Sequence, residues 1–464
     1  MESRVEVIIL AAGLGTRMKS KLAKVLHRAG SLTLIEHVVN AACTITSPSS
    51  ITIVTGHQTE RVEELFKSRG MRFVYQKEQL GTGHAVMVCR EKLENIPGRV
   101  VILYGDCPLL SPEALKELLK RQQESGAAAT MITAELEDPT GYGRAIVGGD
   151  GYVRAVVEQK AATPEQLAIK RINSGIYCFQ ADRLWPYLDL IRPNNAANEY
   201  YLTDMVEVLH KDGQRVAELF LSDASELLGI NTRIELAEAD RVFRTRKTRE
   251  LMLAGVTIER PETVIIDADV CVGMDTIIEQ GVRLLGNTQI GEECRIGVNS
   301  VIENSVIGDR VHIAPLTMIN RSHVAEDARI GPYSRLRTDN EVGAGAHVGN
   351  FVELKKTHLA AGAKANHLAY LGDSTVGEKT NIGAGTITCN YDGVHKHQTR
   401  IGKGAFVGSN STLVAPVSIG DGSYVGAASV ITNNVPEDAL ALGRAHQVIK
   451  EGWAAARRGK MKKS

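Results

Sequence analysis

Two different spacings of hydrophobic residues divide this chain. In the first half, apolar runs of strand length at 5–10, 51–55, 73–75 and 100–104 alternate with amphipathic stretches such as 35–42 and 62–66. That alternation predicts an α/β domain, a parallel sheet built from βαβ units with helices on both faces. Ligands of such sheets bind beyond the carboxyl ends of the strands. Residues 231–255 are rich in long helix-forming side chains and contain no proline, and predict a linker helix between domains. Beyond it, aliphatic residues recur at every sixth position: Val272, Ile278, Leu284, Ile290, Ile296 and Ile302. The phase returns after a one-residue slip at Val324, Ile330, Leu336, Val342, Val348 and Leu354, and again at Ile401, Val407, Leu413, Ile419 and Val425. Six suits neither a helix nor a hairpin sheet. It predicts short strands and turns, three to a coil, stacked as a triangular prism with the aliphatic residue inward. The expected organisation is therefore 1–230, a linker helix at 231–255, and a prism with a C-terminal tail at 256–464.

Composition narrows the function classes. The 464 residues are enough for several domains, and 54 Lys plus Arg balance 54 Asp plus Glu. Bulk charge therefore draws the chain to neither nucleic acid nor membrane. The basic tail Arg457-Arg458-Gly459-Lys460-Met461-Lys462-Lys463 reads as a solvated terminus. Seven cysteines without CxxC spacing suit free thiols in a reducing compartment. No stretch reaches membrane-spanning length, and the opening apolar run is too short for a signal peptide. A cytoplasmic protein without membrane insertion is expected.

Candidate chemistry begins where the first strand ends, at Leu10-Ala11-Ala12-Gly13-Leu14-Gly15-Thr16-Arg17-Met18. A glycine-rich turn opening a helix aims backbone N–H groups at an anion, with the helix dipole behind it. Arg17 adds a fixed cation and Lys24 a mobile one. This run, with Lys24-Val25-Leu26, resembles the signature of sugar-1-phosphate nucleotidyltransferases. Most members place a proline before the lysine; here Ala23 stands there. Proline fixes φ and carries no charge, so the departure touches the loop's rigidity and not the lysine's charge. Two further loops should meet the first. Residues 76–85 follow one strand, and Asp106 follows another, where a carboxylate suits Mg²⁺. Taken singly, an aspartate such as Asp106 more often caps a helix or a turn.

The resemblance implies UTP and UDP-sugar contacts from Leu10, Ala11, Ala12, Gly13, Lys24, Gln76, Gly81, Thr82, Tyr104, Gly105 and Asp106. It adds Gly143, Glu158 and Asn173 at the amino sugar, and Asn231 as a second Mg²⁺ ligand beside Asp106. Ser174 follows Asn173 where the family usually has threonine. Attack of a sugar phosphate on a nucleotide α-phosphorus needs no protein nucleophile. Catalysis there is positioning and charge stabilisation, for which Arg17 and Lys24 are the candidates.

In the second half, chemistry is expected where the six-residue period breaks, at 355–371 and at 386–397. The first break holds Asn366-His367-Leu368-Ala369-Tyr370-Leu371-Gly372-Asp373 and the second Thr388-Cys389-Asn390-Tyr391-Asp392-Gly393. These segments, with Gly349-Asn350-Phe351-Val352-Glu353-Leu354-Lys355-Lys356, are similar to the acetyltransferase half of one family: the bifunctional N-acetylglucosamine-1-phosphate uridyltransferases and glucosamine-1-phosphate acetyltransferases. The likeness covers essentially the whole chain.

The family implies a left-handed parallel β-helix, usually in a homotrimer. An amine must lose a proton before it attacks a thioester, and histidine suits that task near neutral pH. His367 is the candidate base, with Glu353 implied as its orienting carboxylate. Arg337, Lys355, Tyr370 and Asn381 are implied at the glucosamine phosphate. Ala384, Asn390, Tyr391, Ser409, Ala427 and Arg444 are implied at acetyl-CoA. The expected partners are UTP, a sugar 1-phosphate and acetyl-CoA, with Mg²⁺ as cofactor, and the expected product is a precursor of bacterial envelope polymers. Two alternatives stay open: a nucleotidyltransferase whose prism only assembles or regulates, and a translation-factor-like subunit in which both halves are scaffolds.

Overall fold

A computed structural model describes residues 4–195 and 198–461; of the basic tail, Lys462 and Lys463 lie outside them. The chain forms two compact units, Met1–Phe243 and Arg244–Ser464.

The first unit is built on a nine-stranded sheet. In its parallel half the strand Val5–Leu10 pairs with Ile51–Thr55 on one side and Arg99–Tyr104 on the other; Arg72–Tyr75 lies parallel beyond Ile51–Thr55. Val7, Ile8 and Ile9 are fully buried, which explains the unbroken apolar runs of the central strands: both faces are covered. The helix Leu34–Ala42 starts on a reciprocal capping box between Thr33 and Glu36. Pro112–Ser125 starts on the hydroxyl of Ser111 and ends at Gly126.

The sheet is mixed and not wholly parallel. Arg171–Gln180 runs antiparallel to Arg99–Tyr104, and Arg144–Val147 forms an antiparallel hairpin with Tyr152–Val157. The hairpin strands are only half-buried, so they carry no long apolar run to mark them. The helix expected after the glycine-rich turn is likewise a single 3₁₀ turn, Thr16–Met18, closed by Lys19 in the left-handed region. No helix dipole stands behind that loop.

One helix, Arg233–Leu253, spans the residue at which the units divide. Its start is fixed by the Glu235 carboxylate, which accepts from the N–H groups of Asn231 (2.6 Å) and Thr232 (2.8 Å).

The second unit is a three-sided parallel β-helix, with sheets of eleven, ten and nine short strands. Its core is the stacked column of aliphatic residues read from the period, among them Ile278, Leu284, Ile296, Ile302, Ile330 and Val407, all buried. Burying each such side chain contributes about 1.5–3 kcal/mol, and each coil buries its neighbours' edges.

Two expectations change here. The one-residue slip is two residues, from five-residue steps at Ile302 to Ile307 and Ile319 to Val324, and the same short step recurs at Leu354 to Leu359 and Leu371 to Val376, always at the same edge of the prism. And residues 355–371 break the six-residue phase only by the five-residue step from Leu354 to Leu359, without a loop leaving the prism. The strands Glu353–Lys355, His358–Leu359, Lys364–His367 and Tyr370–Gly372 form an ordinary coil, and His367 sits at its corner. The second break is real: a loop leaves the prism between Ile387–Cys389 and Thr399–Ile401.

Candidate active sites in the two units

At the carboxyl ends of the parallel strands the first unit holds a cavity of about 370 Å³. Of the residues assigned from the sequence, Leu10, Ala11, Ala12, Gly13, Arg17, Lys24, Gln76, Gly81, Thr82, Tyr104, Asp106 and Asn231 line it. Val25, Gln79, Ala85, Glu199 and Tyr201 complete the lining. Gly105 lies just behind, its N–H donating to the Leu10 carbonyl (2.9 Å).

The charged groups converge. Lys24 Nζ contacts the Asp106 carboxylate and donates to Asn231 Oδ1 at 3.0 Å, and Arg17 Nη2 donates to the same amide oxygen at 2.8 Å. The Asp106 carbonyl accepts from Ile230 N–H at 2.8 Å, which brings the Asn231 loop to the strand end. Gly15 makes room for this arrangement: its φ is +63°, and a Cβ there would lie 2.6 Å from the Cβ of Lys24. The expected metal ligands pass a test of fit. The Asp106 and Asn231 oxygens are hard donors, and both already meet one cationic group, Lys24.

Gly143, Glu158 and Asn173 gather beside the cavity. The Gly143 carbonyl accepts from Asn173 N–H (2.9 Å), and Gly143 packs against the Glu158 carboxyl. Asn173 Oδ1 accepts from the Tyr177 hydroxyl and from Gly175 N–H, both at 2.9 Å, and Gly175 packs on the Tyr104 ring.

In the prism the expected acetyl-transfer residues group around one corner. Asn350 pairs with His367 in neighbouring coils, and the same corner carries Ala384, Ser409 and Ala427 in the coils above. Arg444 reaches this column, its guanidinium donating to the Ala427 carbonyl (2.7 Å). Asn381 flanks the corner on one face. Arg337, Lys355 and Tyr370 flank it on the other, where Tyr370 pairs with Glu353 and Arg337 N–H bonds Leu354. Asn390 and Tyr391 start the projecting loop at a different corner. Asn390 is buried against Asp373, whereas Tyr391 is exposed and bonds only within its loop.

Two features were not visible in the sequence. The partner of His367 Nδ1 is Asn350 Oδ1 at 2.7 Å; Glu353, expected to orient the ring, instead ion-pairs with Arg337 at 3.1 Å. The two residues lie one coil apart, a relation that coil length sets and local sequence does not show. Lys396, on the projecting loop, contacts Lys355 and lowers its pKa.

Residues 7–164 match the MobA-like NTP transferase domain family, and residues 287–321 and 398–433 match the bacterial transferase hexapeptide family of six-residue repeats. The bifunctional protein GlmU of Solibacter usitatus is 55% identical over 458 residues, which cover 99% of this chain and 98% of that relative. This chain belongs to the bifunctional GlmU family. The GlmU proteins of Koribacter versatilis (50% identity, 98% of each chain) and Trichlorobacter lovleyi (45%, with 97% of this chain and 98% of the relative covered) agree. Like the family, the chain is an enzyme with two activities, uridylyl transfer and acetyl transfer, which together make UDP-N-acetylglucosamine. The prism is accordingly the left-handed parallel β-helix of hexapeptide proteins.

Beside Gly143, Glu158 and Asn173 this GlmU chain keeps an electrostatic penalty. Burial pushes the Asp204 carboxyl up to about 6, helped by the charges of Glu207 and Glu158; burial also raises Glu158 itself, against a bond from the Thr203 hydroxyl (3.3 Å). A carboxyl with a folded pKa above its unfolded value binds its proton more tightly in the fold. Asp204 therefore opposes folding increasingly as pH rises from about 4 through about 6, and not below that window. Asp204→Asn is expected to stabilise the first unit by about 1 kcal/mol at pH 7.5, a figure reduced for solvent screening, and to give no gain near pH 4. Calorimetric unfolding of both forms at the two pH values checks this.

Proposed function

We propose that His367 is the base of the acetyl-transfer site and that the cavity around Lys24 is the uridylyl-transfer site. In this reading residues 1–230 carry uridylyl transfer, 231–255 link, and 256–464 carry acetyl transfer. Arg337 and Lys355, with Lys396 beside them, hold the phosphate of glucosamine 1-phosphate. Asn350 keeps the Nδ1 proton of His367, so Nε2 takes the proton of the attacking amine. The new amide bond forms at the acetyl carbon as the C–S bond breaks, and CoA leaves as the thiolate. Ala384, Ser409, Ala427 and Arg444 form a groove for the CoA chain along the corner, and Asn390 and Tyr391 position amine and thioester.

In the second reaction a phosphate oxygen of N-acetylglucosamine 1-phosphate forms a bond to the α-phosphorus of UTP, and pyrophosphate leaves. Arg17 and Lys24 stabilise the charge on the phosphates, while Gln76, Gly81 and Thr82 hold the nucleotide. Gly143, Glu158 and Asn173 hold the amino sugar. Asp106 and Asn231 would hold Mg²⁺, which when bound draws negative charge off the phosphate oxygens.

The observation that carries this reading is that Arg17, Lys24, Asp106 and Asn231 meet in one unit while His367 heads a corner column in the other. Assembly as a homotrimer fits the separation of Tyr391 from that column within one chain, since a second copy can bring its loop to the corner. The absence of a helix long and apolar enough to span a membrane among the described residues is compatible with work in the cytoplasm.

The test is a split assay on one purified sample. Thiol release is followed from glucosamine 1-phosphate and acetyl-CoA, and pyrophosphate release from N-acetylglucosamine 1-phosphate, UTP and Mg²⁺. Both are expected. Pyrophosphate without any thiol would reduce the prism to a scaffold.

A further inference from the structure

The loop that delivers Lys24 departs from its family at Ala23, where the usual proline would lock the backbone. The structure shows what replaces that ring. Ala23 is buried, with φ −56° and ψ 140°, a backbone that proline also adopts. Unlike a proline it has an N–H, and that N–H donates to Gln58 Oε1 at 3.1 Å. The same amide turns its other end to the loop, Gln58 Nε2 donating to the Lys21 carbonyl at 2.6 Å. One side chain thus ties down both sides of Leu22, immediately ahead of Lys24.

Gln58 holds this position in an unfavourable backbone. Its φ is +59° and ψ 40°, the left-handed region that favours glycine, at the start of the helix Thr59–Phe66. Its side chain makes no capping bond to that helix. A non-glycine residue kept in such a conformation needs a reason in its side chain. Here the only bonds of that side chain among those described go to the Lys24 loop.

We propose that Gln58 is a positioning residue for uridylyl transfer: a side-chain clasp that fixes the Lys24 loop where the family relies on a proline ring. The inference rests on the assignment of Lys24 to that reaction. Lys24 must meet Asp106, Asn231 and the substrate phosphates at once, and small misplacements of a catalytic group carry large rate losses. Gln58 touches no substrate and acts only through residues 21–23.

Two single variants and one double variant test it in the full chain. Gln58→Gly removes the clasp and suits the left-handed backbone, so its melting temperature should not fall. Its kcat/KM for pyrophosphate release should nevertheless drop about tenfold, with thiol release unchanged. Gln58→Ala should show the same loss. Adding Ala23→Pro to Gln58→Ala should restore most of the rate, because the ring supplies the lost restraint.

Unchanged kcat/KM in Gln58→Gly overturns the clasp. So does a loss that Ala23→Pro leaves in place while the fold is intact. Lys24→Ala runs alongside: if that variant keeps full activity, the assignment of Lys24 is what fails, and the two failures are told apart.

Discussion

His367→Ala lowers thiol release from acetyl-CoA by about a thousandfold, the scale of a lost general base, and leaves pyrophosphate release unchanged. The ring is exposed at a prism corner, so truncating it opens no cavity in the core. The backbone of that corner is held independently, by Leu368 N–H on the Asn350 carbonyl (3.0 Å) and Gly385 N–H on the Leu368 carbonyl (3.0 Å). The loss is therefore chemical and not a failure to fold. An amide oxygen accepts and cannot donate, so Asn350 Oδ1 fixes the Nδ1–H tautomer and leaves the Nε2 lone pair for the amine. Without it the substrate ammonium must lose its proton to bulk water. Thiol release measured beside a thermal melt checks the prediction; a variant retaining a tenth of the rate would place the base elsewhere.

Asp106→Ala is expected to reduce uridylyl transfer by a similar factor, with acetyl transfer intact. The reduction should lie in kcat more than in KM for UTP. Asp106 contributes the one negative charge among the four groups that meet there, and its removal leaves Arg17 and Lys24 uncompensated. Two free cations still attract a triphosphate. What is lost is the carboxylate oxygen for Mg²⁺ and the group that aims Lys24, so ground-state binding survives while transition-state stabilisation falls by about 10²–10³. Pyrophosphate release as a function of UTP separates kcat from KM. Calorimetric titration with Mg²⁺ alone should show binding weakened beyond detection. An unchanged Mg²⁺ isotherm would remove Asp106 from the metal site.

The parts of this architecture that were legible are those in which burial dictates residue type. Val5–Leu10 and Arg99–Tyr104 are enclosed on both faces and read as unbroken apolar runs; the prism's inward positions tolerate little but aliphatics and so keep their phase. The glycine-rich loop was readable because Gly15 needs an unusual φ. The half-exposed hairpin of Arg144–Val147 and Tyr152–Val157 satisfies its backbone without an apolar signature, and it was missed. So were relations fixed by tertiary register. Asn350 meets His367 because a coil returns after 17 residues, and Lys24 meets Asn231 across 207. Neither separation has a local pattern. The Gln58 amide, 35 residues from Ala23, belongs to the same class.

The short steps in the hexapeptide phase have a consequence of their own. From Ile278 on, the inward residues keep six-residue spacing from the first face of each coil to the second: Ile278 to Leu284, Ile313 to Ile319, Val348 to Leu354, Val407 to Leu413. From the third face back to the first they keep it too, as in Ile290 to Ile296 and Ile401 to Val407. From Ile278 on, only between the second and third faces does the step vary, six from Leu284 to Ile290, five from Ile302 to Ile307, and thirteen from Thr388 to Ile401, where the loop projects. Over that stretch two seams of the prism are fixed in length and the third is elastic. New sequence can enter along that third seam without re-phasing a single inward residue, because each coil registers only against its neighbours. A peptide grafted near Asn304, far along the chain from His367, should therefore be carried as a surface ornament, and the seam marks where such chains can gain or lose loops over evolution while the acetyl-transfer corner stays in register.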